Sequence, residues 1–309
     1  MKIAVMGSGG VGGYFGARLA AAGNDVTFIA RGAHLAAIKN QGLQVRSPRG
    51  ELHIHPAKAA DHPDAVGPVD IVLFATKLYD TESAGELCKS FIGDGTAVIS
   101  LLNGVDSEEQ LSRILGPQNV VGGVARISAE LAGPGVIQHH SNFASIEFGE
   151  LDGRRSGRLQ KFLSAAQEAG IDAKLSDDIN AAIWQKFILL ASFSAITALT
   201  RLPAGPTRDN PETWKLLEAA ARETGAVARA RGVKLAASVV DDAIKMIHGL
   251  PDAMKASMLV DLERGNRLEL EWLSGAVCRM GRKLGIETPV HCVVLAALLP
   301  YASGRPKSA

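Results

Sequence analysis

The sequence predicts an α/β chain in two parts, a largely parallel-sheet domain over residues 1–177 and an all-helical domain over residues 178–309. Three observations carry that prediction. The opening thirty-one residues run through a strand, a glycine turn, a helix and a second strand. Short apolar runs of the kind buried parallel strands show recur through the first half, alternating with helical stretches. After Ser176-Asp177-Asp178 the apolar residues recur with helical period to the end.

Residues 2–6 form the first apolar run, and Gly7-Ser8-Gly9-Gly10-Val11-Gly12 follows at once with the spacing G-x-G-x-x-G. Each glycine has a physical role. Gly7 makes the tight turn, Gly9 lets backbone approach a pyrophosphate, and Gly12 lets the following helix pack close to the strand. Unpaired N–H groups and the partial positive charge of the helix N-terminus complete an anion site. The helix over 11–22 stops at Gly23-Asn24, and 26–30 is the next strand. A glycine fingerprint in that setting predicts a Rossmann-type dinucleotide-binding domain, with Gly7, Ser8, Gly9, Gly10, Val11 and Gly12 at the cofactor. About twenty residues beyond the glycines, an NAD site places a carboxylate on the ribose 2′-OH. Arg31-Gly32 stands there instead. A guanidinium can pair with a 2′-phosphate and no carboxylate repels it, so NADP(H) is favoured; the alternative for Arg31 is stacking on the adenine.

Further along, a helix is expected over 34–41, then a hairpin of 43–46 and 52–55 about the turn Ser47-Pro48-Arg49-Gly50. His53 and His55 share a face of its second strand, but with no third ligand in view a solvated edge strand is preferred and no metal is expected. Strands over 69–75 and 97–102 are followed by Thr76-Lys77 and Asn103-Gly104, with helices over 81–92 and 107–115. Ligands of open α/β sheets lie beyond the carboxyl ends of strands, which singles out Lys77 and Asn103. A solvated loop lysine and an ordinary Asn-Gly turn are the bland alternatives. From 120 to 149 turn signals such as Gly133-Pro134-Gly135 separate strands without a crossover helix, predicting an antiparallel extension. His139 and His140 fall on opposite faces there. A helix over 154–169 and a strand over 171–175 close the domain.

Helices are then expected over 179–200, 211–231, 238–248, 254–264, 268–284 and 291–299, with stops at Gly232, Gly249, Gly265 and Gly285. The tail 303–309 is expected to fray. Lys186 is the one charge inside the first of these helices, and an ammonium there must reach water, a carboxylate or a substrate. Snorkelling or structural pairing is the alternative to catalysis. Next to a hydride donor, a protonated lysine can deliver the proton that a carbonyl oxygen needs as it becomes an alkoxide. Glu269 is the matching carboxylate, expected at the start of a helix where the dipole also favours it.

Composition limits the partners. With 33 basic and 32 acidic residues the formal charge is +1, which calls for neither nucleic acid nor an anionic membrane. Cys88, Cys278 and Cys292 are odd in number, widely spaced and without C-x-x-C, and read as reduced core thiols. No leader pattern and no apolar run of membrane-spanning length is expected, so the chain is read as a cytoplasmic protein.

Several short motifs in order now identify a resemblance. They are Gly7-Ser8-Gly9-Gly10-Val11-Gly12-Gly13-Tyr14-Phe15-Gly16, Phe28-Ile29-Ala30-Arg31-Gly32, Thr76-Lys77-Leu78-Tyr79-Asp80-Thr81, Leu102-Asn103-Gly104-Val105, Trp184-Gln185-Lys186, and Ser257-Met258 through Asp261 to Glu269. Together they resemble the ketopantoate reductase (2-dehydropantoate 2-reductase) family over almost the whole chain. The resemblance implies a Rossmann domain followed by a helical one. It also implies NADPH-dependent reduction of a 2-keto acid to a 2-hydroxy acid, with ketopantoate as the first substrate. Lys186 then corresponds to the general acid and Glu269 to the carboxylate holding the substrate's hydroxyl end, close to the cofactor. Lys77 and Asn103 correspond to the nicotinamide and substrate end, and Ser257 to a substrate-contacting serine; Asp261 matches without an evident role. A homodimer is compatible with this reading.

One departure is specific. Where the family's helix carries asparagines four and eight residues after the lysine and then a proline, this chain has Leu190, Ser194 and Ala195. Residues at i, i+4 and i+8 share a helix face, so Leu190 and Ser194 join Lys186 as candidate substrate contacts. The loss of amides predicts a less polar substrate. The alternatives are a related reductase of another oxo acid or an imine, and a non-catalytic NADPH-binding protein.

Overall fold

The computed structural model describes residues 1–306. The chain divides into two compact units: Met1–Leu102 with Ser107–Ile179, and Asn103–Asp106 with everything from Asn180 onward. The short segment Asn103–Asp106 thus belongs with the helical unit although it lies in the first third of the sequence.

The first unit is built on a ten-stranded mixed sheet. In chain order its elements are β1 (Lys2–Met6), α1 (Gly10–Ala21), β2 (Asp25–Ile29), α2 (Gly32–Gln41), β3 (Leu43–Arg46), β4 (Leu52–Ile54), β5 (Lys58–Ala60), β6 (Ile71–Phe74), α3 (Thr81–Leu87), β7 (Ala97–Ser100), α4 (Ser107–Leu115), β8 (Val120–Gly133), β9 (Val136–Glu150), α5 (Gly157–Glu168) and β10 (Asp172–Leu175). The strand order is β4-β3-β9-β8-β7-β6-β1-β2-β5, with β10 pairing β9. From β7 through β6, β1 and β2 to β5 every pairing is parallel. The strands β1, β6 and β7 at the centre are short, mainly apolar runs buried on both faces, as a sheet covered by helices requires. Their registers place Met6 opposite both Ile29 and Phe74, so the carboxyl ends of β1, β2 and β6 finish side by side. β1 is the point where the strand order reverses, the crevice at which such sheets take their ligands.

The expected antiparallel extension is present as a long hairpin of β8 and β9, bulged between Ile127 and Ala129 and turned at Gly135, whose φ is +75°. The 43–55 hairpin also forms, but β3 joins the sheet by pairing parallel to β9. Strand β5 was not expected: three residues give too short a pattern to register alone. The helix expected over 81–92 is α-helical only to Leu87 and finishes as a 3-10 turn to Phe91.

The second unit contains α6 (Ile179–Thr200), α7 (Ala204–Asp209), α8 (Pro211–Ala230), α9 (Val239–His248), α10 (Ser257–Arg264), α11 (Ser274–Leu284) and α12 (Pro289–Leu298). At 22 residues α6 is long and apolar enough to match a membrane span, against the expectation from the sequence, but 72% of its most apolar stretch is buried within the folded chain. It is a core helix. Asn210 caps α8 by accepting from the backbone N–H groups of Glu212 and Thr213, and Pro211 occupies the first turn where its missing N–H costs nothing. Ile188 of α6, Ala221 of α8 and Val239, Val240, Ala243 and Ile244 of α9 form one apolar cluster.

The helix expected over 268–284 is corrected: it begins only at Ser274. Leu268, Leu270 and Leu273 are all buried, but residues 266–273 form a loop and a turn, with Leu268 N–H bonded to the carbonyl of Ala302. That bond and one from Gly304 N–H to Tyr301 anchor the chain through Gly304, which is buried, so the expected fraying does not begin at 303. Residues 307–309 of that expectation lie outside the described residues.

Candidate active site

In the first unit the glycine turn sits on a surface that leaves no room for side chains at three positions and open space at one. Gly7 has φ +96°, and a Cβ on it would lie 2.6 Å from the carbonyl oxygen of Ala75. A Cβ on Gly12 would lie 2.2 Å from the carbonyl oxygen of Gly7, so the helix can approach the strand only as glycine. At Gly9 nothing lies within 4 Å of a Cβ. Gly9 is also the N-cap of α1, with no side-chain cap over the first N–H groups of the helix and no acid in the first turn. This is a cradle for an anion. Gly10 is fixed from behind, where a Cβ would lie 2.3 Å from the Ala129 carbonyl oxygen of β8, and Val11 is half-buried beside it.

The turn is held by side chains. Ser8 Oγ donates to the Ile29 carbonyl at 2.9 Å, tying the turn to the end of β2, so its hydroxyl faces the protein. His34, one turn into α2, does the rest. Its Nδ1 accepts from the Gly135 N–H at 3.0 Å, which fixes Nε2 as the protonated nitrogen, and Nε2–H donates to the Ser8 carbonyl at 2.8 Å. Neutral His34 therefore bridges the glycine turn to the β8–β9 turn. The sequence contained no signal for this, since its partners lie 26 and 101 positions away.

Arg31 follows the buried end of β2, is exposed, and has no side-chain partner among the described residues. Lys77 follows β6 with a half-buried side chain. Between β6 and Lys77, Thr76 Oγ1 is buried without a hydrogen-bond partner, and the Thr76 N–H would lie 2.8 Å from a Cβ on Gly7. An open anion cradle, an exposed guanidinium and an orphaned hydroxyl beside the turn fit a dinucleotide cofactor.

In the second unit the Lys186 ammonium donates to Asn103 Oδ1 at 2.8 Å. The segment carrying Asn103 is held there a second time by Arg279 of α11, which donates to the Asp106 carboxylate at 2.6 Å. Lys186 is half-buried, and Leu190, one turn on, is half-buried too. Ser194, two turns on, is fully buried, with its Oγ unpartnered. An orphaned buried hydroxyl costs about 1–3 kcal/mol. Glu269 is buried at 7% exposure in the turn before α11, and its carbonyl accepts from the N–H groups of Trp272 and Leu273. It therefore cannot owe its place to the first turn of a helix. Ser257 is exposed at the start of α10. Asp261 is structural. Its carbonyl and its carboxylate accept from the backbone and side-chain amides of Asn266, closing the α10 terminus over left-handed Gly265. Among the described residues no three His, Cys, Asp or Glu gather as metal ligands.

Against known families, residues 3–153 match the model for ketopantoate reductase PanE/ApbA and residues 178–302 that for its C-terminal domain. The chain belongs to the ketopantoate reductase family. It is accordingly an oxidoreductase acting on a CH–OH group. A 2-dehydropantoate 2-reductase of Mesorhizobium japonicum is 33% identical over 99% of both chains. An uncharacterized oxidoreductase of Bacillus subtilis, YkpB, is 31% identical over 99% of this chain and all of its own. A PanE/ApbA family ketopantoate reductase from Ralstonia eutropha superposes with a TM-score of 0.90 at 33% identity, covering 98% of each chain.

Proposed function

We propose that the chain reduces a 2-keto acid to a 2-hydroxy acid with NADPH, and that the first substrate is 2-dehydropantoate (ketopantoate), giving pantoate for pantothenate biosynthesis. The observation that carries this reading is the Lys186–Asn103 pair. The Asn103 amide oxygen accepts from the ammonium at 2.8 Å and fixes where it stands. Lys186 Nζ, so positioned, is the group that delivers a proton to a carbonyl oxygen as negative charge builds there. With Oδ1 committed to Lys186, the Nδ2 hydrogens of Asn103 serve the ligand. Glu269 holds the hydroxyl end of the substrate, and Ser257 and Lys77 contribute further contacts. What the cofactor would supply when bound is a hydride for the keto carbon. Gly7–Gly12 and the α1 N-terminus take the pyrophosphate, and Arg31 takes the 2′-phosphate.

Leu190 favours a second reading of the same chemistry, a keto acid with a less polar side chain. Its half-buried isobutyl group follows Lys186 by one turn and offers no hydrogen bond, while Ser194 has a hydroxyl still unused.

The test is NADPH oxidation, followed by absorbance, with ketopantoate and a panel of apolar 2-keto acids in parallel. Turnover of ketopantoate supports the first reading, and turnover confined to the apolar acids supports the second. Tight NADPH binding with every keto acid inert would move the chain to the non-catalytic, cofactor-binding alternative.

A further inference from the structure

Cys278 and Cys292 lie fourteen positions apart on different helices, and the sequence pattern placed them as separate core thiols. The structure brings their sulfurs to 2.8 Å. Cys278 lies on the inner face of α11 at 1% exposure, whereas Cys292, in the first turn of α12, is only partly buried. Thr288 Oγ1 lies 3.6 Å from the Cys292 sulfur, and the Arg282 side chain reaches it from the end of α11. One thiol is therefore reachable from solvent beside a cation, and its partner is pressed against it from the core side.

We propose that Cys278 and Cys292 are a redox-active pair, a modification site at which a hydroperoxide closes a disulfide between α11 and α12. The two sulfurs divide the work by environment. Burial would push the Cys292 thiol up, but hydrogen bonds from Cys278, Thr288 and Arg282, together with the Arg282 charge, outweigh it and hold the thiol below its ordinary range. Burial pushes Cys278 up to about 12, so it retains its proton. The Cys292 thiolate is the nucleophile. It attacks the outer oxygen of the hydroperoxide, an S–O bond forms and the O–O bond breaks. The sulfur loses two electrons to become a sulfenic acid, and the leaving oxygen takes a proton and departs as alcohol or water. Cys278 then attacks the sulfenic sulfur; the S–S bond forms, the S–O bond breaks, and the thiol proton leaves with the hydroxide as water. In sum, two thiols and one hydroperoxide give one disulfide, one alcohol or water, and one further water. The closed bond staples the turn at Gly285 and the start of α12 to the body of α11. A dithiol reverses it by exchange.

Cys88 is the internal control. It is buried in the other unit, its thiol is pushed up to about 12 by burial, and no second cysteine adjoins it. The experiment treats the reduced full-length protein with limiting hydrogen peroxide, blocks remaining thiols by alkylation, and maps peptides by mass spectrometry with and without dithiothreitol. The expected product is an intrachain Cys278–Cys292 peptide, reversible by dithiothreitol, with Cys88 still a thiol. In the untreated protein Cys292 should alkylate at least about tenfold faster than Cys88 at neutral pH. In Cys278→Ser, dimedone should trap a sulfenic acid on Cys292. The proposal is overturned if Cys292 alkylates no faster than Cys88, if peroxide leaves both thiols free or drives Cys292 to sulfinic acid without a crosslink, or if the disulfide forms only between chains. The thiol mapping needs no substitution, so a poorly folding variant does not decide the outcome.

Discussion

The Lys186 ammonium donates a 2.8 Å hydrogen bond to the amide oxygen of Asn103, a residue 83 positions earlier in the chain. Lys186→Ala should lower kcat by on the order of 10²-fold or more, because it removes the proposed proton donor. Asn103→Ala leaves the ammonium in place but unsteadied. Losing a hydrogen bond to a charged group is worth about 1.5–3 kcal/mol, so its kcat should fall by about tenfold or more. Steady-state kinetics beside NADPH titration by fluorescence checks both. Intact turnover in the alanine variant at 186 would remove the lysine from the mechanism.

In the proposed function Arg31 selects the dinucleotide, and that role can be tested directly. Among the described residues the exposed guanidinium at the end of β2 has no side-chain partner to give up to a 2′-phosphate. Arg31→Asp removes a charge-assisted pair and adds a repelling carboxylate, while creating an acceptor for a ribose 2′-OH. The NADPH Kd should rise far more than the NADH Kd. Equal weakening of both, measured by fluorescence titration, would reduce Arg31 to an adenine-stacking role.

What was legible in the sequence was local. The Gly7–Gly12 turn and α6 were readable because each is specified by neighbouring residues, through glycine spacing and uninterrupted apolar periodicity. Element β5 was not readable, because its three residues become a strand only by pairing with β2. The helix expected from 268 begins only at Ser274, because the Leu268 N–H bonds to the Ala302 carbonyl rather than into a helix. The polar contacts that shape the candidate site, Lys186 with Asn103 and His34 with Ser8 and Gly135, join residues dozens of positions apart. The Cys278–Cys292 contact was hidden for the same reason. Such pairings have no sequence periodicity.

Gly7 and Gly9 belong to one motif and should respond oppositely to a single methyl group. Gly7→Ala forces a side chain into a left-handed conformation, at about 1–3 kcal/mol, and against the Ala75 carbonyl. It should lower the unfolding midpoint whether or not NADPH is present. Gly9 has φ −76° and open space, so Gly9→Ala should change stability by no more than about 0.5 kcal/mol. Its methyl group nevertheless stands where a pyrophosphate must approach, and NADPH affinity should fall. Urea unfolding of the two apoproteins with NADPH titration separates structure from binding; a destabilised Gly9→Ala would contradict the open cradle.

His291 couples the helical unit to pH. It is fully buried, its Nε2–H donates to the Ala220 carbonyl and its Nδ1 accepts from Ser274 Oγ, which satisfies the neutral ring. Burial pushes it from 6.5 down to about 4, against the smaller pull of the Ala220 carbonyl. Between those values the unfolded chain binds a proton that the folded chain refuses. Stability is therefore retained above about pH 6.5 and lost as pH falls toward 4, by on the order of 3 kcal/mol for this group. Glu223 acts in the other direction. Burial raises its carboxyl despite the N–H groups of Val290 and His291, so its protonation at low pH favours the folded state. His291→Gln isolates the histidine. Between pH 7 and pH 4.5 the urea midpoint of the wild-type protein should fall more steeply than that of the variant, and parallel pH profiles would show that His291 is not the titrating group.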